Sequence, residues 1–381
     1  MSSSREVKKV LIVGAGLAGF SAAISLAKLG VEVTIAERSQ SLAYGASITI
    51  VNRGPDALAE LGVLEECAAV GTVGWGKSLY DDFFDSAGNR RPTPPMPIRQ
   101  DDGLPSYLLI YRPYLARVLS ERAAGLGVTL RRGTEVTGLV DHADRVTATL
   151  AGGEASDWDL VVAADGTSSK VRRQLFGDRV TSVYSGNMSM RWVKRDPPEG
   201  PDGFYVNDES EAVVVHNLAG NMVYIATGIN MDNRAVGKKE GVELFRTVLG
   251  RFPAPYVKAL LATVEDDDEV VVRPYTYHNL PAPWHKGRIM VIGDAAHTMS
   301  AHIASGGVMA LEDGIVLGQE LAVGGELDAA LLRVAKRRAR RTFVAVDACR
   351  QMLDLQVNYQ AEPRDLHRVR EAAFRELLTA Y

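Results

Sequence analysis

The chain has 381 residues, of which 46% are hydrophobic and 24% are charged, an ordinary composition for a globular protein with a sizeable core. Its net charge of −4 gives no electrostatic basis for binding nucleic acid. Its apolar runs are shorter than the ~18–20 residues that would span a bilayer. Two distant cysteines, Cys67 and Cys349, match neither a redox pair nor a metal site, and they suit a reducing compartment.

The N-terminal segment has the pattern strand, glycine-rich turn, helix, strand. An apolar run at residues 8–13 leads into a G-x-G-x-x-G formed by Gly14, Gly16 and Gly19. We expect Gly14 to allow a tight turn, Gly16 to let a pyrophosphate approach, and Gly19 to let the helix lie close to the strand. A second strand ends at Glu37, whose carboxylate suits ribose hydroxyls. The unit predicts a dinucleotide site but does not separate NAD from FAD. The turn stands where a secretory signal would be cleaved, so we expect a cytoplasmic protein.

The middle of the chain departs from a repeated βα pattern. Residues 56–70 read as a helix, and residues 71–106 contain five prolines and are expected to be irregular. Arg112 opens the next helix, where the helix dipole disfavours a cation, so it is either a ligand contact or a surface arginine. A later buried strand ends in Asp165-Gly166, which begins the segment D-G-T-S-S-K-V-R. Residues 181–277 then read as an antiparallel sheet with one helix, inserted into the nucleotide-binding fold.

A second acidic turn follows the inserted sheet. The sequence G-D-A-A-H, residues 293–297, comes after a buried apolar run and before the glycine pair Gly306-Gly307, which opens a helix. Such a helix start offers free N–H groups and the positive end of a dipole. A basic run at residues 336–341 is either a solvated helix face or a contact with the acidic body of the protein.

Three motifs now stand in order along the chain: G-x-G-x-x-G with Glu37, D-G-T-S-S-K-V-R at residues 165–172, and G-D-A-A-H at residues 293–297. In this order and spacing they resemble the motifs of the single-component FAD-dependent aromatic hydroxylases, the p-hydroxybenzoate hydroxylase-like monooxygenases. The resemblance covers nearly the whole chain. It implies an α/β protein with a Rossmann-like FAD-binding fold, an inserted antiparallel substrate sheet and C-terminal helices. It also implies four divisions of the chain: residues 1–180, a first FAD-binding region with the irregular segment 71–106 partly on the substrate side; 181–277, the substrate domain; 278–325, a second FAD-binding region; and 326–381, the C-terminal helices.

The resemblance also implies roles for individual residues. Asp294 would hydrogen-bond the ribityl chain of FAD, and Gly306 and Gly307 would bring amides to the flavin edge. NADH or NADPH would react transiently, without a nucleotide-binding domain of its own. The full set of expected cofactor-binding residues is Gly14, Gly16, Ala18, Gly19, Glu37, Arg38, Arg112, Asp165, Gly166, Asp294, Gly306 and Gly307.

Within the family, the pattern H-x-M-x-x-H-x-A-x-G-G looks closest to the 6-hydroxynicotinate 3-monooxygenases, with the salicylate hydroxylases nearby. The chain departs from the family at three positions. Ala301 stands where Pro is usual, Ser305 where Gln is frequent, and Gly314 where the E-D-A segment has Ala. The missing proline puts the shape of the loop over the flavin in question, since proline fixes φ and removes a donor.

Five residues are candidates for the substrate side. His302 is the first candidate for a base that deprotonates a ring hydroxyl, and His216 is the second, because histidine titrates near neutral pH. Arg191 could pair with a substrate carboxylate. Tyr205 and Tyr224 either face the ring or pack in the core. His297 is expected to be structural.

The predicted activity is hydroxylation of an electron-rich ring, a hydroxypyridine carboxylate or a phenolic acid, with or without decarboxylation. By resemblance, NAD(P)H reduces FAD, and dioxygen forms a flavin C4a-hydroperoxide that attacks the ring. The alternatives are a flavin-dependent reductase, a halogenase, and a non-catalytic FAD-binding protein. The W-x-W-x-I-P segment of halogenases and the C-x-x-C of disulfide reductases are absent from the sequence. Small aromatic substrates and O2 are the expected partners, with no nucleic acid, membrane or metal, and the C-terminal helices could support a homodimer.

Overall fold

The computed structural model describes residues 7–41, 46–100, 102–358 and 363–381. The first residues of the segment 1–180 and residues 359–362 of the C-terminal segment therefore lie outside the described residues. The predicted fold class is confirmed: a parallel sheet and antiparallel sheets combine with α-helices. No helix in the described ranges has the length and apolarity needed to cross a membrane.

Twenty strands of the described chain form four sheets. In chain order they are β1 Lys9–Val13, β2 Glu32–Glu37, β3 Ser47–Ile50, β4 Gly71–Gly74, β5 Phe83–Asp85, β6 Arg90–Arg91, β7 Tyr107–Tyr111, β8 Thr129–Arg132, β9 Val136–Asp141, β10 Val146–Leu150, β11 Ala155–Trp158, β12 Leu160–Ala163, β13 Val183–Arg195, β14 Gly203–Val206, β15 Ala212–Leu218, β16 Met222–Asn230, β17 Val271–Asn279, β18 His285–Lys286, β19 Ile289–Val291 and β20 His297–Thr298.

The described residues also form ten α-helices. They are α1 Leu17–Ala27, α2 Gly54–Leu61, α3 Leu64–Val70, α4 Arg112–Gly125, α5 Lys170–Phe176, α6 Lys238–Leu249, α7 Pro255–Leu261, α8 Gly306–Val323, α9 Leu327–Val357 and α10 Pro363–Leu377. The helix predicted over residues 56–70 is wrong in one respect, because Gly62 adopts φ +75° and ends α2 before α3 begins.

The nucleotide-binding layer is a six-stranded sheet in the order β18-β19-β12-β1-β2-β8. All its pairs are parallel except β18 with β19 at the edge. Its inner strands β1, β12 and β19 are runs of mostly apolar, buried residues, as expected for a parallel sheet that is covered on both faces. Helices α1 and α8 pack closely, since a Cβ on Gly314 would lie 2.3 Å from the Ala22 amide nitrogen.

The inserted layer is an eight-stranded sheet in the order β20-β17-β13-β16-β15-β14-β5-β6. One face packs against α6 and α7 in a separate core that includes Trp192 and Phe245. The other face turns toward the nucleotide-binding layer. The segment predicted as irregular, 71–106, contributes β5 and β6 to one edge of this sheet, and the stretch from Pro92 to Pro105 forms neither helix nor strand among its described residues.

The basic run in α9 has a solvated side and a buried side: Lys336, Arg337 and Arg340 are exposed, whereas Arg338 and Arg341 contact acidic residues. Arg338 is fully buried, and its Nε and Nη1 donate to Asp313 Oδ1 at 2.7 Å and Glu312 Oε2 at 2.5 Å. Arg341 donates from Nη2 to Glu312 Oε1 at 2.9 Å. The second of the two predicted alternatives is therefore the correct one for these two arginines, and α9 is anchored to α8.

Candidate active site

A cavity of about 520 Å3 opens between the nucleotide-binding layer and the inserted sheet. At one end its wall consists of the turn after β1 and the start of α8; at the other end it consists of the inserted sheet, α9 and α10. The predicted site residues that the fold brings together around it are Gly16, Ala18, Arg112, Gly166, Arg191, His216, Tyr224, Asp294, His302, Gly306 and Gly307.

The glycine-rich turn has the geometry that its spacing predicts. Gly14 has φ +106°, and a Cβ there would lie 2.4 Å from the Ala164 carbonyl oxygen. A Cβ on Gly19 would lie 2.0 Å from the Gly14 carbonyl oxygen, so α1 can approach the turn only without a side chain there. A Cβ on Gly16 would meet no atom of the described residues within 4 Å. Gly14 and Gly19 thus shape the turn, while Gly16 leaves open space beside the N-terminus of α1, where an anion is favoured.

Glu37 and Arg38 lie beside this turn, outside the cavity wall. The Glu37 carboxylate accepts hydrogen bonds from the Ala15 amide at 2.8 Å and the Ser39 amide at 2.7 Å. Glu37 therefore fixes the turn, and each of its oxygens keeps a second lone pair for a ribose hydroxyl. Arg38 is exposed at the end of β2. A cofactor contact by either residue stays a prediction.

Arg112 and Asp294 face each other across the cavity end near α8. Both are surrounded by protein, yet both side chains are accessible, because they face the cavity. Burial raises the pKa of Asp294, and His297 and Arg112 oppose that rise. Burial and the neighbouring Arg191 lower the pKa of Arg112. The two opposite charges at this end are available to a polar ligand.

Helix α8 begins at the glycine pair and directs its first amides toward the cavity. A Cβ on Gly307 would lie 2.5 Å from Ile48 Cδ1 and would displace that side chain of β3. Ser305 stands before the helix, where its hydroxyl donates to the Ile303 carbonyl at 2.9 Å and accepts from Asn52 Nδ2 at 3.3 Å. The departure at Ser305 is thus accommodated by hydrogen bonds within the protein.

Asp165 caps a helix beside the cavity, and its role in cofactor binding stays a prediction. Its Oδ2 accepts from the Lys170 amide at 2.8 Å and the Val171 amide at 3.3 Å, so it caps the N-terminus of α5. Its Oδ1 is buried without a partner among the residues described. Asp165 lies outside the cavity wall, whereas Gly166, with φ +79°, lines it. The carboxylate therefore positions the backbone that reaches the cavity.

The turn that carries Asp294 is held by a buried ionic cluster beneath it. Asp313 Oδ2 accepts from the Gly293 amide at 2.8 Å and lies 2.7 Å from His297 Nε2, while Arg338 holds the other oxygen. Burial opposes ionisation of Asp313, but His297 and Arg338 outweigh it, so its pKa is lowered. The expectation that His297 is structural agrees with this geometry.

The opposite end of the cavity is lined by aromatic rings. Tyr80 stacks on Phe204 with ring centroids 5.1 Å apart, and His216 meets Phe204 edge-on at 5.7 Å. Tyr224 also lines this end, and Arg191 lies over the Tyr275 ring with its Cζ 6.0 Å from the centroid. A flat, apolar-faced ligand can pack between such rings by offset or edge-to-face contacts.

The two candidate histidines are both at this end, and both are neutral at pH 7. Burial lowers the pKa of His302 to about 4, although the Gln356 hydrogen bond opposes it, and burial lowers the pKa of His216 to about 4. His302 Nδ1 lies 2.6 Å from Ser300 Oγ, and its Nε2 contacts Gln356 Oε1. Because the Gln356 oxygen can only accept, Nε2 carries the proton and Nδ1 accepts from the Ser300 hydroxyl.

A family model described as "FAD binding domain" matches residues 8–348. The chain belongs to this FAD binding domain family. A putative FAD-dependent monooxygenase, YetM of Bacillus subtilis (strain 168), is 31% identical over 353 residues, which cover 88% of this chain and 90% of YetM.

Two solved structures have the same fold. Klebsiella pneumoniae HpxO, complexed with FAD and uric acid, is 22% identical with a TM-score of 0.76, covering 97% of this chain and 92% of HpxO. The tetrameric form of 2-methyl-3-hydroxypyridine-5-carboxylic acid oxygenase is 23% identical with a TM-score of 0.73, covering 97% of this chain and 96% of that enzyme. The predicted flavoprotein family is confirmed.

The residues of this FAD binding domain protein fit the cofactor of its family. Open space adjoins Gly16 at the N-terminus of α1, and the first amides of α8 face the cavity. The accessible side chains of Arg112 and Asp294 supply one donor group and one acceptor group between these two helix ends. The site thus offers anion-binding amides, hydrogen-bonding side chains and room for a ring system.

Tyr205, a candidate for the substrate side, instead belongs to the separate core behind the inserted sheet. It is 1% exposed, stacks on Phe84 at 4.9 Å and donates to the Pro201 carbonyl at 2.8 Å. Successive side chains of a strand point to opposite faces, so Phe204 lines the cavity and Tyr205 cannot.

Four residues of the cavity wall were not predicted from the sequence. They are Tyr80, Phe204, Gln356 and Arg370. The alternation along β14 could have identified Phe204 once the facing side of the strand was known. The other three come from a loop and two C-terminal helices, and only the tertiary fold brings them together.

A second cavity, of about 540 Å3, adjoins the first and shares Arg191, Tyr275, Asp294 and Met299 with it. Its walls come from the start of α5, β13 and β17. Its charged lining residues are Arg172, Arg173, Arg191 and Arg273 against Asp178 and Asp294. The excess of arginine makes this cavity suited to an anionic molecule.

Proposed function

We propose that the protein is an FAD-dependent monooxygenase that uses NAD(P)H and O2 to hydroxylate an electron-rich aromatic ring, a hydroxypyridine carboxylate or a phenolic acid. One observation carries the proposal. A single cavity joins the FAD-suited end, at Gly16, Asp294 and the start of α8, to an end walled by Tyr80, Phe204 and His216. A ring bound against those aromatic residues would therefore lie within the same enclosed space as the cofactor.

FAD, when bound, would accept the electrons of NAD(P)H and activate dioxygen for transfer of one oxygen atom to the ring. The residues of the chain would bind and orient the cofactor and the ring, and they would exclude water from both. We propose that Gly16 and the α1 amides hold the pyrophosphate, that Asp294 accepts from the ribityl hydroxyls, and that Arg112 and the α8 amides contact the flavin. Because tertiary contacts fix these groups before any ligand binds, the site is preorganised.

A ring hydroxyl becomes more nucleophilic when a base takes its proton. We propose His302 as the first candidate and His216 as the second. Nδ1 of neutral His302 accepts from the Ser300 hydroxyl, and Ser300 also lines the cavity. The Ser300 hydroxyl can thus take the ring proton at its oxygen while it delivers its own proton to His302 Nδ1. The low pKa of about 4 leaves His302 unprotonated in the neutral range, but it also makes the imidazole a weak base, so the ring hydroxyl that it deprotonates must itself be acidic.

The second cavity supports the role of NAD(P)H. It is rich in arginine, and it meets the first cavity at Arg191 and Asp294. A nicotinamide dinucleotide carries an anionic pyrophosphate, for which arginine is the preferred partner. We propose that the reductant enters by this cavity, with its nicotinamide directed to the shared wall.

The test is anaerobic reduction of the FAD-loaded protein by NADH and by NADPH, followed at the flavin absorbance, with and without a panel of rings. The panel holds 6-hydroxynicotinate, other hydroxypyridines, salicylate and simple phenols. We expect one ring to accelerate reduction by orders of magnitude and to be hydroxylated when air is admitted. Reduction at one rate with every ring, with only hydrogen peroxide formed in air, would favour a reductase; absence of any reduction would favour a non-catalytic FAD-binding protein.

A further inference from the structure

Arg370 is a buried arginine that α10 brings to the wall of the main cavity. Its side chain is 7% exposed, and its Cζ lies 4.1 Å from the centre of the Tyr80 ring. Its Nε donates to the His302 carbonyl at 3.4 Å. The guanidinium is therefore fixed in place by a stacked ring and one backbone oxygen, at the aromatic end of the cavity.

The charge of Arg370 is not neutralised by a carboxylate. Within residues 7–41, 46–100, 102–358 and 363–381, no Asp or Glu forms an ion pair with it, and its Nη1 and Nη2 have no hydrogen-bond partner. Of the other four buried arginines, Arg99, Arg338 and Arg341 each bind at least one carboxylate. The fourth, Arg172, also lacks a carboxylate, but both its terminal nitrogens have hydrogen-bond partners within the protein. A buried charge without a counter-ion is unfavourable, so it is usually retained for a ligand.

Arg191, the residue first considered for a substrate carboxylate, is in a different position. It has a carboxylate, Asp294, among its neighbours, and it stands at the wall shared with the second cavity. Arg370 stands at the far end, beside the Tyr80 ring that stacks on Phe204. A ring packed against Phe204 would bring a substituent toward Arg370.

We propose that Arg370 binds the carboxylate of the aromatic substrate through its two terminal nitrogens. A planar guanidinium fork matches the two oxygens of a carboxylate, and such bidentate pairs are strong when water is excluded. The inference rests on the proposed function and assigns the residue that binds the carboxylate of its substrate. It makes Arg370 a specificity-determining residue, supplied by the C-terminal helix.

The test measures binding without turnover. Oxidised, FAD-loaded protein without NAD(P)H is titrated calorimetrically with matched pairs, 6-hydroxynicotinate with 6-hydroxynicotinamide and salicylate with salicylamide. For at least one pair, we expect the native protein to bind the acid with about 10- to 100-fold higher affinity than the amide, the range expected for a charge-assisted hydrogen-bonded pair. Arg370→Gln should remove that preference, and Arg370→Lys, which keeps the charge without the fork, should retain some of it.

The control is Arg368→Gln on the same helix, because Arg368 is largely exposed and pairs only with Asp365 at 3.4 Å among the residues described. It should leave the preference unchanged. FAD content and melting temperature are recorded for every variant, because a misfolded variant would also lose binding. If Arg370→Gln is misfolded, Arg370→Lys provides the second test of the role of Arg370.

Three outcomes would overturn the inference: native protein that binds acids no better than amides, an Arg370→Gln variant that keeps the preference, or an Arg191→Gln variant that alone loses it. An acid preference that depends on Arg370, in a protein that hydroxylates none of the rings, would support the carboxylate site and contradict only the proposed monooxygenase activity. The two failures are therefore distinguishable.

Discussion

Arg172 Nη1 donates a 2.8 Å hydrogen bond to the carbonyl oxygen of Ala295. The same guanidinium contacts His278 Nε2 at 3.0 Å and donates to the Thr167 carbonyl at 3.0 Å. One buried side chain thus joins the segment that begins at Asp165, the turn that carries Asp294, and the last long strand of the inserted sheet. The relative position of the two layers that enclose the cavity depends on this residue.

Replacing Arg172 with Lys should weaken both the fold and FAD binding. An ammonium group cannot reach all three acceptors, which would leave buried polar groups unpaired at about 1–3 kcal/mol each. We expect a lower unfolding free energy in urea and at least about tenfold weaker FAD binding, an effect of about 1.4 kcal/mol. The matched control is Lys170→Gln on the same helix, because Lys170 is exposed. Equal losses of stability and FAD binding in the two variants would refute the proposal that Arg172 holds the two layers together.

Gly16 and Gly19 should respond in opposite ways to a single methyl group. Gly16→Ala adds a Cβ into open space at φ −81°, so the unfolding free energy should change by less than about 1 kcal/mol while FAD binding is lost. Gly19→Ala places a Cβ against the Gly14 carbonyl and should destabilise the protein by about 1–3 kcal/mol. Urea unfolding of the FAD-free variants, with FAD titration of each, measures both effects. Normal FAD binding by Gly16→Ala would contradict the assignment of the pyrophosphate site.

The regions of the site that the sequence predicts are those fixed by local rules. The turn at Gly14, Gly16 and Gly19 follows from backbone space, and the acidic turn at Asp294 follows from a buried strand that ends before a glycine-started helix. The short-range geometry of these two turns brings their functional groups to the cavity, so both could be predicted without knowing any distant contact.

The rest depends on tertiary contacts. Tyr205 and Phe204 are neighbours with similar side chains, and only the packing of α6 and α7 on one face decides which of them meets the cavity. Arg370 comes from the last helix, and no local pattern marks it as a cavity residue. The basic run in α9 left two alternatives open, because its meaning depends on Glu312 and Asp313 of another helix.

The buried ionic cluster should contribute far more to stability than an exposed pair on the same helix. Arg338→Ala would leave Glu312 and Asp313 partly uncompensated, for which we expect a loss of about 3–5 kcal/mol. Arg340→Ala removes an exposed pair with Glu376 and should cost less than about 1 kcal/mol. Chemical denaturation of both variants checks the contrast, and similar losses would show that the cluster is not held by its charges.

Acid should destabilise the protein between about pH 6.5 and pH 5, before most carboxylates titrate. Burial lowers the pKa of His216 and His302 to about 4, and burial together with Arg172 lowers that of His278 to about 3. The folded protein keeps these groups neutral, while the unfolded chain protonates them below about pH 6.5, so stability falls as pH falls. Because the unfolded chain binds a proton at each of these histidines, each could lower the free energy of unfolding by up to about 3 kcal/mol at pH 4. His278→Gln should flatten the dependence measured by urea unfolding; an unchanged slope would contradict the role of His278.

The source of the oxygen atom added to the ring is the most direct evidence for or against monooxygenase activity. The protein is supplied with FAD, the preferred nicotinamide nucleotide, the aromatic acid selected by binding, and dioxygen labelled with the heavy isotope. We expect a hydroxylated ring that carries one labelled oxygen, with the second labelled atom released as water. A ring that stays unmodified while labelled hydrogen peroxide accumulates, or a hydroxyl that comes from unlabelled water, would contradict the proposed monooxygenase.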